Sequence, residues 1–388
     1  MKTNYRALTS LRFFAASAVV CFHFVPGIKT FGRLPTPAQH LIERGSIALC
    51  FFFVLSGFVL ATSYQGRAMD DPIARRSFWL ARFSRLYPAY ILAFLLFIPM
   101  AVHKYIFDPV SGTEESAHVT FLVSALLSSL LIQSWTRFSQ PWNGPGWSLS
   151  VESFFYFLFP YTAFRIMRLR TPVALTLCLG LWAGSLLVVC SHITGSMSDQ
   201  FYMNYICYHP LFWTPCFLTG IAIQRFVASW QRLRASTSSI VSVLAIAAIV
   251  LTCMMAPERY GGLVTTTGAL PLVAVLILSC SHGSCRLVRC IGSSPFYELG
   301  EVSYITYILQ VPLWHYVSRV TNQLTYLSAG FKQGTTSQFV LFFAVLICVS
   351  FVISRYVEKP ARKWLLHKLT GPSREVSWTG ATVGSVQG

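Results

Sequence analysis

A chain of 388 residues that is 54% hydrophobic, 15% aromatic and only 11% charged is too apolar for a soluble domain, in which about a quarter of residues are charged. It reads as an all-α polytopic membrane protein, with a mean hydropathy of +0.56. The net charge of +17 is then explained by Lys and Arg gathered in cytoplasmic loops, which excludes a nucleic-acid binder as the first reading.

Eleven stretches are apolar enough to be weighed as membrane helices, each needing about 20 residues to cross. In chain order they are 8–28, 46–64, 86–102, 119–133, 148–164, 172–191, 208–224, 238–256, 262–281, 297–318 and 336–354. The first contains Arg12 and His23 and is followed by no small-residue cleavage site, so it reads as a retained span and not a signal peptide. Loop charge sets the number of crossings. Lys2, Arg6 and Arg12 place the N-terminus in the cytoplasm, and Arg67, Arg75, Arg76, Arg82 and Arg85 place the second connection there. If 119–133 does not cross, 22 of the 30 basic residues fall on the cytoplasmic side; if it crosses, only 12 do. The expectation is a bundle of about 10 transmembrane helices plus one re-entrant or interfacial helix at 119–133, multi-pass in the cytoplasmic (inner) membrane, both termini cytoplasmic. The segment set aside, VTFLVSALLSSLLIQ, is short and rich in serine, a form tolerated in lipid where it packs on protein or lines a cavity. The loop before it carries Asp108, Glu114 and Glu115 and is expected outside. Residues 1–370 form one transmembrane domain, and 371–388, rich in Gly, Ser and Thr, read as a disordered cytoplasmic tail. No internal repeat is evident.

The eleven cysteines sit mostly in apolar runs, where a free thiol behaves as a small hydrophobe, and their spacing gives no disulfide framework. Cys280, His282, Cys285 and Cys290 lie near one another but lack the Cys-x-x-Cys pairs of a zinc site, so no metal is expected.

The first span, LTSLRFFAASAVVCFHFVPGI, holds the two residues most out of place in lipid. Arg12 and His23 are eleven positions apart, about 20° beyond three helical turns, so they share a face and are separated by about 16 Å along the axis. Ionisable groups within a span normally face a bundle interior or a water-filled cavity. The plainer reading is an interfacial histidine and a snorkelling arginine. Arg82 and Arg85, three apart, share a helix face and suit bidentate phosphate binding, against a plain positive-inside anchor. In FFFVLSGFVL, Ser56 and Gly57 point to close helix packing. In PWNGPGWSLSVE, Glu152 is read either as a helix N-terminal carboxylate near a Ser148 or Ser150 cap, or as facing the same cavity as His23. In ELGEVSYITYILQVPLW, Glu298 and Glu301 precede Tyr304 and Tyr307, which read most simply as an interfacial tyrosine belt.

Taken in order, these motifs resemble the acyltransferase-3 family of membrane acyltransferases. The resemblance rests on Arg12-x10-His23, Arg82-x-x-Arg85, FFFVLSGFVL, WSLSVESFFYFLFP, LGEVSYITYILQVPL and VEKPARKWL, spread over residues 5 to 366. Two positions depart from the family pattern: Ser153 stands where a second acidic residue is frequent, and Gln310 where a histidine is frequent. The chain reads as the stand-alone form, without the C-terminal esterase-like domain of some members.

The resemblance implies an acyl-CoA-dependent O-acyltransferase with His23 as general base, Arg12 and Glu152 as supporting catalytic residues, and Arg82 and Arg85 as ligands of the donor phosphates. Acyl-CoA, acetyl-CoA foremost and succinyl-CoA next, is the implied co-substrate. The acceptor would be a hydroxyl of a glycan or glycolipid, such as an exopolysaccharide or lipopolysaccharide, or of a small glycoside. Direct transfer and an acyl-histidine relay both remain open, as does a homo-oligomer. From another class, a transporter or flippase of an anionic or lipid-linked saccharide also fits a bundle with a buried cation, although such proteins more often show inverted repeats and paired broken helices.

Overall fold

The computed structural model describes residues 5–66, 69, 71–103, 114–138, 142–232, 234–281, 286–324 and 334–370. The tail 371–388, Asp108, His282 and Cys285 lie outside the described residues. Among the described residues all regular structure is helical. The main elements are α1 (Arg6–Phe24), α2 (Thr36–Glu43), α3 (Ala48–Ser63), α4 (Pro72–Val102), α5 (Glu114–Ser129), α6 (Gly146–Arg168), α7 (Thr171–Ile193), α8 (Pro210–Ile223), α9 (Ala235–Met255), α10 (Leu270–Cys280), α11 (Ser294–Leu324), α12 (Thr336–Ile353) and α13 (Lys359–Thr370).

The multi-pass helical fold is as expected; the count of about ten spans is not confirmed. Among the described residues, seven runs are long and apolar enough to cross: Arg6–Gly27, Thr36–Ser63, Pro72–Val102, Thr171–Ile193, Pro210–Trp230, Ala235–Met255 and Thr336–Leu369. An eighth would be the pair Glu258–Thr265 and Thr267–Cys280, bent by 67°. Two of the stretches counted from sequence, α6 and α11, are 23 and 31 residues long yet do not qualify on hydropathy. The reason is chemical: α6 carries Ser148, Ser150, Glu152 and Ser153, and α11 carries Glu298, Glu301, Gln310 and His315. The stretch at 119–133 forms α5, whose 16 residues rise only about 24 Å. It stops where Leu131 turns left-handed (φ 58), with Ile132 N–H donating to Leu127 O at 3.0 Å, a helix closure usually built on glycine.

Asp71 caps α4, its carboxylate accepting from Ile73 N–H at 3.1 Å and Ala74 N–H at 3.2 Å, and Pro72 takes the first helical position. The third span expected at 86–102 therefore begins well upstream, and Arg82 and Arg85 lie inside the helix rather than before it. Two helix pairs set the frame. α3 and α8 run parallel and meet glycine to backbone in both directions: a Cβ on Gly57 would collide with Phe217 O, and one on Gly220 with Val54 O. Such close approach is how small residues bring membrane helices together when lipid offers no hydrophobic drive. α1 and α11 also run parallel, Gly300 resting on the Thr9 carbonyl and Gln310 reaching His23 further along. The larger buried core is rich in aromatics, with Phe53, Phe58, Phe155, Phe159, Trp213 and Phe217 buried, and a smaller cluster forms around Phe94, Phe97 and Trp142.

The start of α6 is tied down by three hydrogen bonds. Gln133 Nε2 donates to Gly146 O at 3.0 Å and Ser134 Oγ to Trp147 O at 2.7 Å. Asn143 Nδ2 donates to Ile308 O of α11 at 2.7 Å. The turn after α5 thus fixes where Glu152 sits.

Candidate active site

A cavity of about 110 Å³ opens between α1, α3, α4, α6 and α11, lined by Arg12, Ser56, Arg82, Arg85, Ser148, Glu152, Tyr156, Ser303, Tyr304 and Tyr307 among apolar Leu49, Phe52 and Val59. Helical periodicity delivers these groups: Arg82 and Arg85, Glu152 and Tyr156, and Ser303, Tyr304 and Tyr307 each recur at spacings that keep them on one face. FFFVLSGFVL divides its labour, Gly57 packing on α8 while Ser56 faces the cavity.

Arg82 is only 5% exposed. It donates from Nη2 to Tyr64 Oη at 3.0 Å, its guanidinium lies over the rings of Tyr64 and Phe78, and its buried Nε has no hydrogen-bond partner among the described residues. Glu152 accepts from the Tyr156 hydroxyl one turn on. Glu152 and Glu301 attract both Arg12 and Arg85, which repel each other, and Glu358 attracts Arg85. Arg362 of α13 adds a further cation felt by Arg82 and Arg85. Four guanidiniums thus face three carboxylates, and with a donor nitrogen of Arg82 unused the arrangement favours an anion with several oxygens.

His23 lies beyond this cavity, not within it. It is an exposed residue, and its Nδ1 is 3.0 Å from Oε1 of Gln310. Gln310 Nε2 donates to Tyr307 O at 2.8 Å, and the Tyr307 hydroxyl, which lines the cavity, is 2.8 Å from Ser148 Oγ. Tyr307 therefore borders both places: its hydroxyl lines the arginine cavity, and its backbone carbonyl holds the glutamine that contacts His23.

Several expectations change. Glu152 shares its cavity with Arg12, Arg82 and Arg85, while the partner of His23 is Gln310. Glu152 is also no helix-terminal carboxylate: α6 begins at Gly146 without a side-chain cap, Ser148 Oγ donates to Pro145 O at 2.8 Å, and Ser150 Oγ accepts from Ser134 N–H at 3.3 Å. The tyrosine belt is overturned, since Tyr307 is buried and Tyr304 donates to Leu86 O at 2.6 Å. Tyr156, Ser303 and Arg362 were not singled out from sequence; the four-residue spacing from Glu152 was the available signal for Tyr156. Among the described residues, no three of His, Cys, Asp and Glu gather as a metal site.

The profile of the acyltransferase-3 family, described as an acyltransferase domain, matches residues 5–355. The chain belongs to the acyltransferase-3 family. It is similar to acyltransferase MdmB of Streptomyces mycarofaciens, 36% identical over 173 residues that make up 43% of this chain and 41% of the relative. It is also similar to the putative peptidoglycan O-acetyltransferase YrhL of Bacillus subtilis, 24% identical over 87% of this chain and 54% of the relative. O-acetyltransferase OatA of Staphylococcus aureus is 22% identical over 87% of this chain and 56% of its own length. This chain of the acyltransferase-3 family therefore spans about half the length of these curated relatives. No solved structure matches it.

Proposed function

We propose that this member of the acyltransferase-3 family moves an acyl group, acetyl foremost, from cytoplasmic acyl-CoA to a hydroxyl of a glycan or glycolipid. The observation that carries the reading is the convergence of Arg12, Arg82 and Arg85 on one cavity that Tyr307 and Gln310 link to His23. The donor's diphosphate and 3′-phosphate lie against Arg82 and Arg85, the buried Nε of Arg82 supplying an unused donor. The pantetheine arm runs past Arg12, bringing the thioester towards His23. His23 takes the proton of the acceptor hydroxyl as its oxygen bonds to the thioester carbonyl carbon. The C–S bond breaks, and the departing CoA thiolate receives that proton from the imidazolium. Glu152, held by Tyr156, keeps Arg12 and Arg85 together despite their like charge. The two relatives that bear O-acetyltransferase names, one of them for peptidoglycan, support acetyl and a glycan. Membership in an acyltransferase family sets the transporter reading aside.

The test is transfer of label from [14C]acetyl-CoA or [14C]succinyl-CoA in membranes of a deletion strain carrying the gene, with mass spectrometry of surface glycans for the matching mass increment. Loss of the increment on deletion and its return on complementation is expected; unchanged glycans and no transfer of either label would refute the reading. Arg82→Ala with Arg85→Ala is expected to raise KM for acyl-CoA at least 10-fold, since each lost charged hydrogen bond is worth about 1.5–3 kcal/mol. An unchanged KM removes both from the donor site.

A further inference from the structure

The hydrogen bonds around Gln310 fix more than the position of His23. Gln310 is fully buried, and its Nε2 donates to Tyr307 O at 2.8 Å. A backbone carbonyl only accepts, so this contact settles which end of the amide is nitrogen. The other end, Oε1, is an acceptor, and it lies 3.0 Å from Nδ1 of His23. An amide oxygen has no proton to give, so a short contact with Nδ1 requires Nδ1 to carry the hydrogen. In neutral imidazole the second nitrogen then holds the lone pair.

We propose that Gln310 is a positioning residue that holds His23 as the Nδ1–H tautomer through the relay Tyr307 O···Gln310···His23, leaving Nε2 as the basic atom. The inference rests on His23 being the general base, and goes beyond that role by naming the atom that acts and the residue that selects it. The physical logic is that of a histidine whose outer nitrogen is defined by the hydrogen bond of its inner one. A neutral partner serves here: the side chain that reaches Nδ1 of His23 is the amide of Gln310. Glutamine is a donor at one end and an acceptor at the other with no protonation state to choose, so its polarity is set wholly by Tyr307 O.

The experiment uses the full-length protein in membrane vesicles from a deletion strain that retain the native acceptor, with [14C]acetyl-CoA and rates measured across pH. Gln310→Met keeps length but offers no oxygen to Nδ1–H; it is expected to lower kcat about 10- to 100-fold with KM for acetyl-CoA unchanged. Gln310→Glu keeps an acceptor for Nδ1–H and adds a negative charge that stabilises the imidazolium, but gives up the bond to Tyr307 O, which accepts and cannot donate. It is expected to keep kcat above that of Gln310→Met while the acid limb of the pH–rate profile moves to higher pH, because the base must lose its proton before it can act. A purely structural glutamine would give lower yield or a raised KM in both variants and no movement of the pH profile. Wild-type kcat in Gln310→Met, or an unmoved acid limb in Gln310→Glu, overturns the proposal, and the second readout stands even if the methionine variant does not fold. His23→Ala in the same assay separates the two layers: activity in that variant sinks the functional reading, whereas an inactive His23→Ala beside a fully active Gln310→Met sinks the tautomer relay alone.

Discussion

His23→Ala is expected to lower acyl transfer by about 10²- to 10⁴-fold, the contribution of a positioned general base, while the protein still elutes as a folded species in detergent. The two halves of this expectation have separate causes. His23 is an exposed residue whose side chain, among the described residues, bonds to Gln310, so its removal opens no void in the aromatic core. Its neighbours Phe22 and Phe24 on α1 keep the end of the helix packed, Phe24 against Trp314 and Phe342. The loss should fall on kcat, because Arg82 and Arg85, the proposed donor site, lie in the cavity that His23 does not line. Initial rates against acetyl-CoA concentration check this, and a variant with wild-type kcat would remove His23 from the chemistry.

Gly220→Val should have an effect of comparable size but on folding. Gly57 and Gly220 each approach the opposing backbone so closely that a Cβ at either would collide with a carbonyl oxygen. Backbone cannot step aside as a flexible side chain does, so α3 and α8 would have to separate. That would undo the stacking of Phe155 on Phe217, whose centroids are 4.6 Å apart. Overpacking of this kind costs on the order of 3 kcal/mol or more when no rotamer relieves it. Ser56, on the same turn as Gly57, would leave the cavity wall with it. Gly180→Val and Gly184→Val, on α7 with no atom within 4 Å of an added Cβ, serve as controls. The expected result is loss of the monodisperse peak in size-exclusion chromatography for Gly220→Val and its retention in both controls. Equal elution and thermal stability for all three would show the crossing to be looser than the helix contact implies.

The all-helical membrane fold was legible because hydropathy is a long-window property, and single polar residues barely disturb it. The span count was harder: the stretches 148–164 and 297–318 were counted from sequence, yet α6 and α11 carry enough polar residues to fall short of the hydropathy of a span. Arg12, His23, Arg82, Arg85 and Glu152 could be picked out as individuals, since each is a charge or an imidazole in an apolar setting. Their grouping could not. Arg82 finds Tyr64, 18 residues away, and His23 finds Gln310, 287 residues away, through helix packing that no local spacing encodes. Tyr304 and Tyr307 were misread because an interfacial belt and a cavity wall share the same amphipathic residue type.

The parallel packing of α1 on α11 has a consequence for how this chain can vary. Gly300 against Thr9 O at one end and Gln310 against His23 at the other hold the two helices in register at two points. Between Arg12 and His23, the ten residues from Phe13 to Phe22 are constrained in number far more than in kind. A single inserted residue would turn His23 by about 100° and lift it about 1.5 Å, aiming the ring away from Gln310 while leaving Arg12 at the cavity. Apolar substitutions of similar size along Phe13 to Phe22 leave this register intact, whereas one insertion or deletion separates Arg12 from the His23–Gln310 contact. The distance between the two ends is thus written into the length of the intervening sequence, not its composition.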